Sequence, residues 1–583
     1  MKRTLILLTA LAVLAAGLSA QNAEDTKFKK YQDALWDTYF RFFPTAGTLA
    51  GYAKFGERLE DLSTGAIEKF HDSLDALNGE LVTKIDRTKL SPEMQLEHEM
   101  LIDFLDLEFV KFEMLLPWEY NPLYYNQLFV NSIRGLFVRG SAALDARVKS
   151  ATERAKQLPG LIKRAKENLK TPPQIYTETA LKQLPAIIDF YRTEVPTLTG
   201  GAAGQAALLT EAGKVVTALE EYRAFLQTEL LPKSTGNFRI GDQAHLRILR
   251  MTAQTSQTLE EYIARSRADV NNIRGEMAFT ILPIFKIMYP QVNMEQVSSQ
   301  RGQEGSRNTF IQGVLDKIKG EHATKETFIP QVVASASRVK DFMIQKQLAD
   351  LPADNLPIEP MPAYMRGTSW FRLDKPGAFE PGGVFTFYLA PFPDDMPADQ
   401  VNSMLEEYDN YYLDFFTAQN VYPGTFVPSV VTRRDPSIIK RLAPNRALLQ
   451  GWPVMLQEML VFSGYGNYDL LLRLHQLKEL LKNAICFQLD LNIHQGGMEK
   501  EKAMEYMTRM GFITTAEAER IWNHIILNPG ELSLTYIGYQ ELLDMAKDYQ
   551  KLKGDQYSQK EFLQKVLSFG AIPLRTLKTK MAQ

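Results

Sequence analysis

Asp490 and His494 are the pair best spaced for proton transfer, because residues four apart share one face of a helix. A carboxylate beside an imidazole can tune the ring for acid–base work, or the pair can close a helix end beside Gly496-Gly497. Both readings fit the spacing. The chain has seven histidines. His98-Glu99 opens like the helix motif of zinc peptidases, but Ile102 stands where the second histidine would be, so an ordinary surface helix is expected there. Cys486 is the only cysteine; it has no partner for an intramolecular bridge, and its apolar helical surroundings suit a buried filler better than a nucleophile. Nucleotide and serine-hydrolase chemistry find no support. There is no phosphate loop, Gly464-Tyr465-Gly466 lacks the third glycine of a dinucleotide fingerprint, and no serine has glycines two positions to either side.

Such residues need a scaffold, and the composition supplies one. The 583 residues are 45% hydrophobic and 10% aromatic, enough for several packed cores. Lys and Arg number 66 against 69 Asp and Glu, a balance that leaves no electrostatic footprint for nucleic acid or an anionic membrane. Residues 1–20 read as an export signal: Lys2 and Arg3, an apolar run from Thr4 to Leu18, then Ser19-Ala20 as a small-residue cleavage site. A run of about 15 residues is short of the roughly 20 that a span needs, so no stable membrane insertion is expected after cleavage. No cysteine follows the small residues, so no lipid anchor is expected there. The destination is the periplasm or the extracellular medium.

Apolar residues recur at helical spacing through Leu158, Leu161, Ile162, Ala165 and Leu169, with Pro159 placed in an early turn. They recur again through Leu208, Ala212, Val215, Leu219, Tyr222 and Leu226, and through Leu470, Leu474, Leu477, Leu481 and Ala484. Thr514 with Glu517 reads as a capping box and Gly511 as the preceding helix end, giving a helical hairpin from about Met498 to Leu527. Strand character is confined to about 370–389, where a small hairpin or edge sheet is expected. Pro352 to Pro362, Pro391 to Pro397 and Ser298 to Arg307 read as linkers or surface loops. The main boundary falls near Ser234–Asn237, separating an N-terminal helical region, 21–235, from a C-terminal one, 236–583.

Several separated motifs carry a resemblance. They are Asn237-Phe238-Arg239-Ile240-Gly241, Val421-Tyr422-Pro423-Gly424, Gly451-Trp452, Leu489 to His494, and Asn528-Pro529-Gly530 leading to Tyr536-Ile537-Gly538. In order and rough spacing the chain, from about Lys27 to Leu552, resembles domain-of-unknown-function family 885, exported bacterial proteins similar to zinc metallopeptidases. The resemblance implies a mainly α, multi-helix, zincin-like architecture with a central cleft. It also implies a signature of His-Glu, two variable residues and Pro-Gly-His, followed downstream by Glu-Gly-Trp.

Here the first signature reads Gln419-Asn420-Val421-Tyr422-Pro423-Gly424-Thr425 and the second Gln450-Gly451-Trp452. The resemblance would make the two histidines and the downstream glutamate zinc ligands, and the signature glutamate the general base. Gln419, Thr425 and Gln450 offer only neutral oxygen donors, and a carboxamide at Asn420 cannot take a proton near neutral pH. A further family glutamate appears as Gln457, with Glu458 beside it. No zinc or other cofactor is therefore expected, and the chain reads as a metallopeptidase-like pseudoenzyme with a peptide as its possible ligand. Tyr422, Trp452, Asp490, His494, Arg520 and Tyr536 are the cleft candidates the resemblance leaves in place. Two other readings stay open: a hydrolase using Asp490 and His494 or a metal held by Asp414, Glu458, His475, Asp490 and His494, and an interaction protein whose cleft is closed.

Overall fold

In the computed structural model, which describes residues 23–139, 142–293, 295 and 304–583, helices dominate and one small sheet is present. The expected export signal lies outside the described residues. The chain divides into two units: residues up to Gly236 with Pro376–Gly383 and Pro436–Ala443, and the remainder from Asn237.

In the first unit, α1 (Pro92–Val110), α2 (Leu144–Asn168) and α3 (Gln205–Phe225) illustrate how the apolar stripes are used. Leu158, Leu161, Ile162 and Ala165 of α2 are buried, as are Leu208, Val215 and Leu219 of α3, and the two helices pack together. Arg154 is wholly buried, its guanidinium donating to the Ser132 carbonyl at 2.8 Å and the Thr48 hydroxyl at 2.6 Å. Two expectations are corrected here. α2 begins at Leu144, so Pro159 sits mid-helix, where it cannot donate to the Ala155 carbonyl. His98 does not lie on a surface face: it is buried on α1, with Nε2 3.3 Å from the Leu81 carbonyl.

The second unit is built around α8. Its helices used below are α4 (Gly241–Ala253), α5 (Leu259–Thr280), α6 (Leu413–Asn420), α7 (Arg446–Phe462), α8 (Leu470–His494), α9 (Thr515–Leu527) and α10 (Glu531–Lys553). α8 is covered by α5 and α10, and α10 packs along α7. At the crossing of α7 and α10 the backbones touch. A Cβ on Gly451 would lie 2.1 Å from the Gly538 carbonyl carbon, and one on Gly538 would lie 1.8 Å from the Ala447 oxygen. The glycines of Gly451-Trp452 and Tyr536-Ile537-Gly538 are thus a matched pair of close approaches.

The sheet has order β1-β3-β2, with β1 (Ile358–Pro360) parallel and β2 (Phe371–Asp374) antiparallel to the central β3 (Thr386–Leu389). Phe387 and Leu389 alternate inward while Thr386 and Tyr388 are half-exposed. β1 comes from the proline-rich stretch expected to be a linker; Pro360 is tolerated because it ends an edge strand. The stretch from Ser298 lies outside the described residues up to 303, and from Glu304 onward it is helix rather than loop.

The hairpin ending in α9 forms, but its expected cap does not. Thr514 makes no side-chain cap, and the reciprocal half of the box is absent too, because the Thr514 N–H donates to Glu407 at 3.0 Å and the Glu517 carboxylate pairs with Arg520. Gly511 does not take the left-handed conformation at the preceding helix end; Phe512 does, at φ 56°. Among the described residues no helix is long and apolar enough to cross a membrane.

Candidate functional site

The second unit contains a cleft of about 410 Å³, and all four positions aligned with the metal signature line it: Gln419, Asn420, Thr425 and Gln450. α6 ends in the first two. A tight turn follows, through a cis Tyr422–Pro423 bond, and Gly424 is required in it because a Cβ would lie 1.9 Å from the Gln419 carbonyl oxygen. The turn returns the chain so that the Thr425 hydroxyl donates to the Asn420 carbonyl at 2.7 Å. Gln450 reaches the same space from α7, one residue before the Gly451–Gly538 crossing.

These side chains are already engaged by the protein. Gln457 Nε2 donates to Gln419 Oε1 at 2.8 Å and to the Phe415 carbonyl at 3.1 Å. Asn420 Nδ2 donates to the Phe416 carbonyl at 3.1 Å, and the Thr535 hydroxyl donates to Gln450 Oε1 at 3.4 Å. The donor set does not fit zinc. Its oxygens are neutral, and two of the three that would face the ion accept hydrogen bonds instead. Among the described residues no group of three or more His, Cys, Asp or Glu side chains is arranged to hold a metal.

The opposite wall comes from polar stripes on two helices. Glu479, Lys482, Asn483 and Cys486 lie on one face of α8, and Arg520 and His524 on one face of α9. Lys482 Nζ is 2.6 Å from Glu479 and donates to the Tyr412 hydroxyl, which donates in turn to Glu479 Oε2 at 2.5 Å. Arg520 donates from Nε and Nη2 to both oxygens of Glu517, at 2.6 and 2.7 Å. Burial disfavours both cations, yet the adjacent Glu479 and Glu517 outweigh it and hold Lys482 and Arg520 above their ordinary pKa values. Burial pushes the Cys486 thiol up to about 12, so it stays protonated and unreactive.

Of the six cleft candidates, only Arg520 lines this cleft. Trp452 is wholly buried. The Tyr536 hydroxyl donates to Asp269 at 2.7 Å, and its ring stacks on Phe487. Tyr422 lines a different depression, with the Lys340 ammonium 5.2 Å above its ring. Asp490 and His494 are buried together, but their closest approach is 3.9 Å, and His494 Nε2 bonds the Ile525 carbonyl at 3.0 Å. Asp490 accepts from the Gly530 N–H at 3.1 Å and the Ser533 hydroxyl at 2.5 Å, with His245 of α4 at 3.3 Å. This cluster ties the start of α10 to α8 and α4, so the helix end that Asp490 serves is the start of α10 and not the end of α8 beside Gly496-Gly497. The other suggested ligands are dispersed among separate partners: His475 with Asp409, Glu458 with Tyr539, and Asp414 with Arg338 and Tyr465.

Sequence reasoning missed Tyr412, Glu479, Lys482, Asn483 and His524. The polar positions at 479, 482, 483 and 486 within an apolar helix are the signal that could have found the α8 stripe.

The model of the family described as "Bacterial protein of unknown function (DUF885)" matches residues 44–581. The chain belongs to this family. No curated protein matches it. Among solved structures, a candidate lipoprotein of unknown function from Shewanella oneidensis aligns with TM-score 0.77 and 23% identity, covering 95% of this chain and 100% of that one. A candidate lipoprotein from Colwellia psychrerythraea aligns at 0.73 with 13% identity, covering 96% and 98%. Both likenesses concern the fold of this DUF885 protein.

Proposed function

We propose that this DUF885 protein is an exported, metallopeptidase-like pseudoenzyme whose cleft binds peptides without hydrolysing them. The observation that carries the proposal is the convergence of Gln419, Asn420, Thr425 and Gln450 on one cleft while none of them supplies a metal-binding charge or a base. The scaffold of a hydrolytic site is kept and its chemistry is replaced by carboxamides and a hydroxyl. Asp490 and His494 do not restore it, because both are buried away from this cleft and engaged with backbone and Ser533. Nor is the cleft packed shut, as a purely structural role would have it; its volume lies within the range of sites for small ligands. Export is supported by the sequence of residues 1–20 and by the description of both structural neighbours as candidate lipoproteins.

A screen of a peptide library for both binding and cleavage tests the proposal. Saturable binding with every peptide recovered intact is expected. Turnover that persists in a chelator, or that zinc induces, would contradict it, and so would a screen with no ligand at all.

A further inference from the structure

Three of the charges that face the cleft are paired within the protein. Lys482 is matched by Glu479, Arg520 by Glu517, and Glu531 by Arg446 at 2.8 Å and His524 at 3.5 Å. Arg372, also on the lining, is engaged as well. A carboxylate or ammonium entering this space finds Lys482, Arg520 and Glu531 already matched. It would have to displace an existing partner or remain unpaired in a partly desolvated site, and either costs binding free energy.

What the lining leaves unsatisfied is amide chemistry. Asn483 is buried on the cleft wall, yet its amide N–H group has no partner among the described residues. Gln419 and Gln450 spend their oxygens on Gln457 and Thr535, which leaves their amino groups as donors. Asn420 spends its amino group on the Phe416 carbonyl, which leaves its oxygen as an acceptor. Neutral donors set beside a neutral acceptor complement the C=O and N–H of a main-chain peptide group. Beside them Met361, Met365, Phe371, Phe387 and Phe416 form an apolar flank, with flexible methionines able to fit more than one side-chain shape.

We infer that the cleft selects an internal, uncharged stretch of polypeptide bearing an apolar side chain, and discriminates against free termini and charged side chains. This rests on reading the cleft as a peptide site. Its recognition elements are the carboxamides of Gln419, Asn420, Gln450 and Asn483, and the paired ions serve as a neutral wall.

Isothermal titration of the mature protein with four versions of one short peptide tests the inference. The versions are a form with acetylated and amidated ends around a central leucine, the same peptide with free ends, and two capped forms with aspartate or with lysine replacing the leucine. The capped leucine peptide is expected to bind at least about tenfold more tightly than the others. Asn483→Ala is expected to weaken that peptide by about tenfold without altering the thermal unfolding curve; if this variant fails to fold, Gln450→Ala, at a half-exposed position, takes its place. Equal or tighter binding of the free-ended or charged peptides would overturn the inference and leave the peptide site standing. If none of the four binds, both are overturned.

Discussion

At the scale of single residues, the cleft is defined by pairings already made. Glu531 shows the consequence most plainly. Burial alone would raise its pKa, but the His524 hydrogen bond and Arg446 outweigh burial and lower it to about 2. Asp490 and Glu517 are also held below their ordinary values against burial, the first chiefly by His245 and the second by Arg520. A carboxylate depressed in the folded state contributes stability that is full above its unfolded pKa and lost as pH falls through the folded one. Denaturant midpoints should therefore drop as pH falls from 4.5 towards 2, and Glu531→Gln should make the drop shallower. A midpoint independent of pH in that window would contradict these pairings. His494, whose pKa burial lowers from 6.5, adds a loss of the same sign that starts earlier, because the unfolded chain takes up the proton first. Cys486, its thiol raised to about 12, should react with a thiol reagent only on unfolding. Rapid labelling of the native protein would show that the cleft wall opens.

At the scale of elements, the helices follow from the sequence more directly than their contacts do. The stripes through Leu158 and Leu208 bury as their spacing requires, because an amphipathic period needs only local sequence. α8 shows where that logic ends. Leu474, Leu477, Leu481 and Ala484 are buried as read, but so are Lys478, Glu479 and Lys482, whose partners lie on distant segments at Glu407 and Tyr412 or on the same face. A helix buried on most sides loses the polar face that periodicity depends on. The Thr514 box fails for a related reason: Glu517 has the capping spacing, but its carboxylate pairs with Arg520 while the Thr514 N–H goes to Glu407 on a distant segment. β1 was missed because proline signals a break while an edge strand can still end on one. The Gly451–Gly538 contact, by contrast, makes a sharp prediction from geometry. Gly538→Ala should destabilise the second unit by at least about 1–3 kcal/mol by forcing α7 and α10 apart, as read by urea unfolding. Gly213→Ala on the open face of α3 should be neutral or stabilising by up to about 1 kcal/mol. Equal effects at the two sites would refute the close approach.

At the scale of the whole molecule, the sequence disclosed the fold class, the family and the positions that meet in the cleft, and it misplaced most of the cleft's other residues. Gln419, Asn420, Thr425 and Gln450 were found through short motifs whose glycines force close backbone contacts, and such contacts leave a local trace. Trp452, Tyr536, Asp490 and His494 sit beside those motifs but face the core or the start of α10, and adjacency along the chain does not determine which way a side chain points. Because the four positions share one cleft, converting them together by Gln419→His, Asn420→Glu, Thr425→His and Gln450→Glu should create a site holding about one zinc per chain. A folded variant that binds none would show that the cleft lacks the geometry that a zinc site needs. The most direct test of the central claim needs no variant. Elemental mass spectrometry on the purified mature protein, after dialysis with zinc and then without it, should find close to no metal retained. About one tightly held zinc per chain would contradict the account.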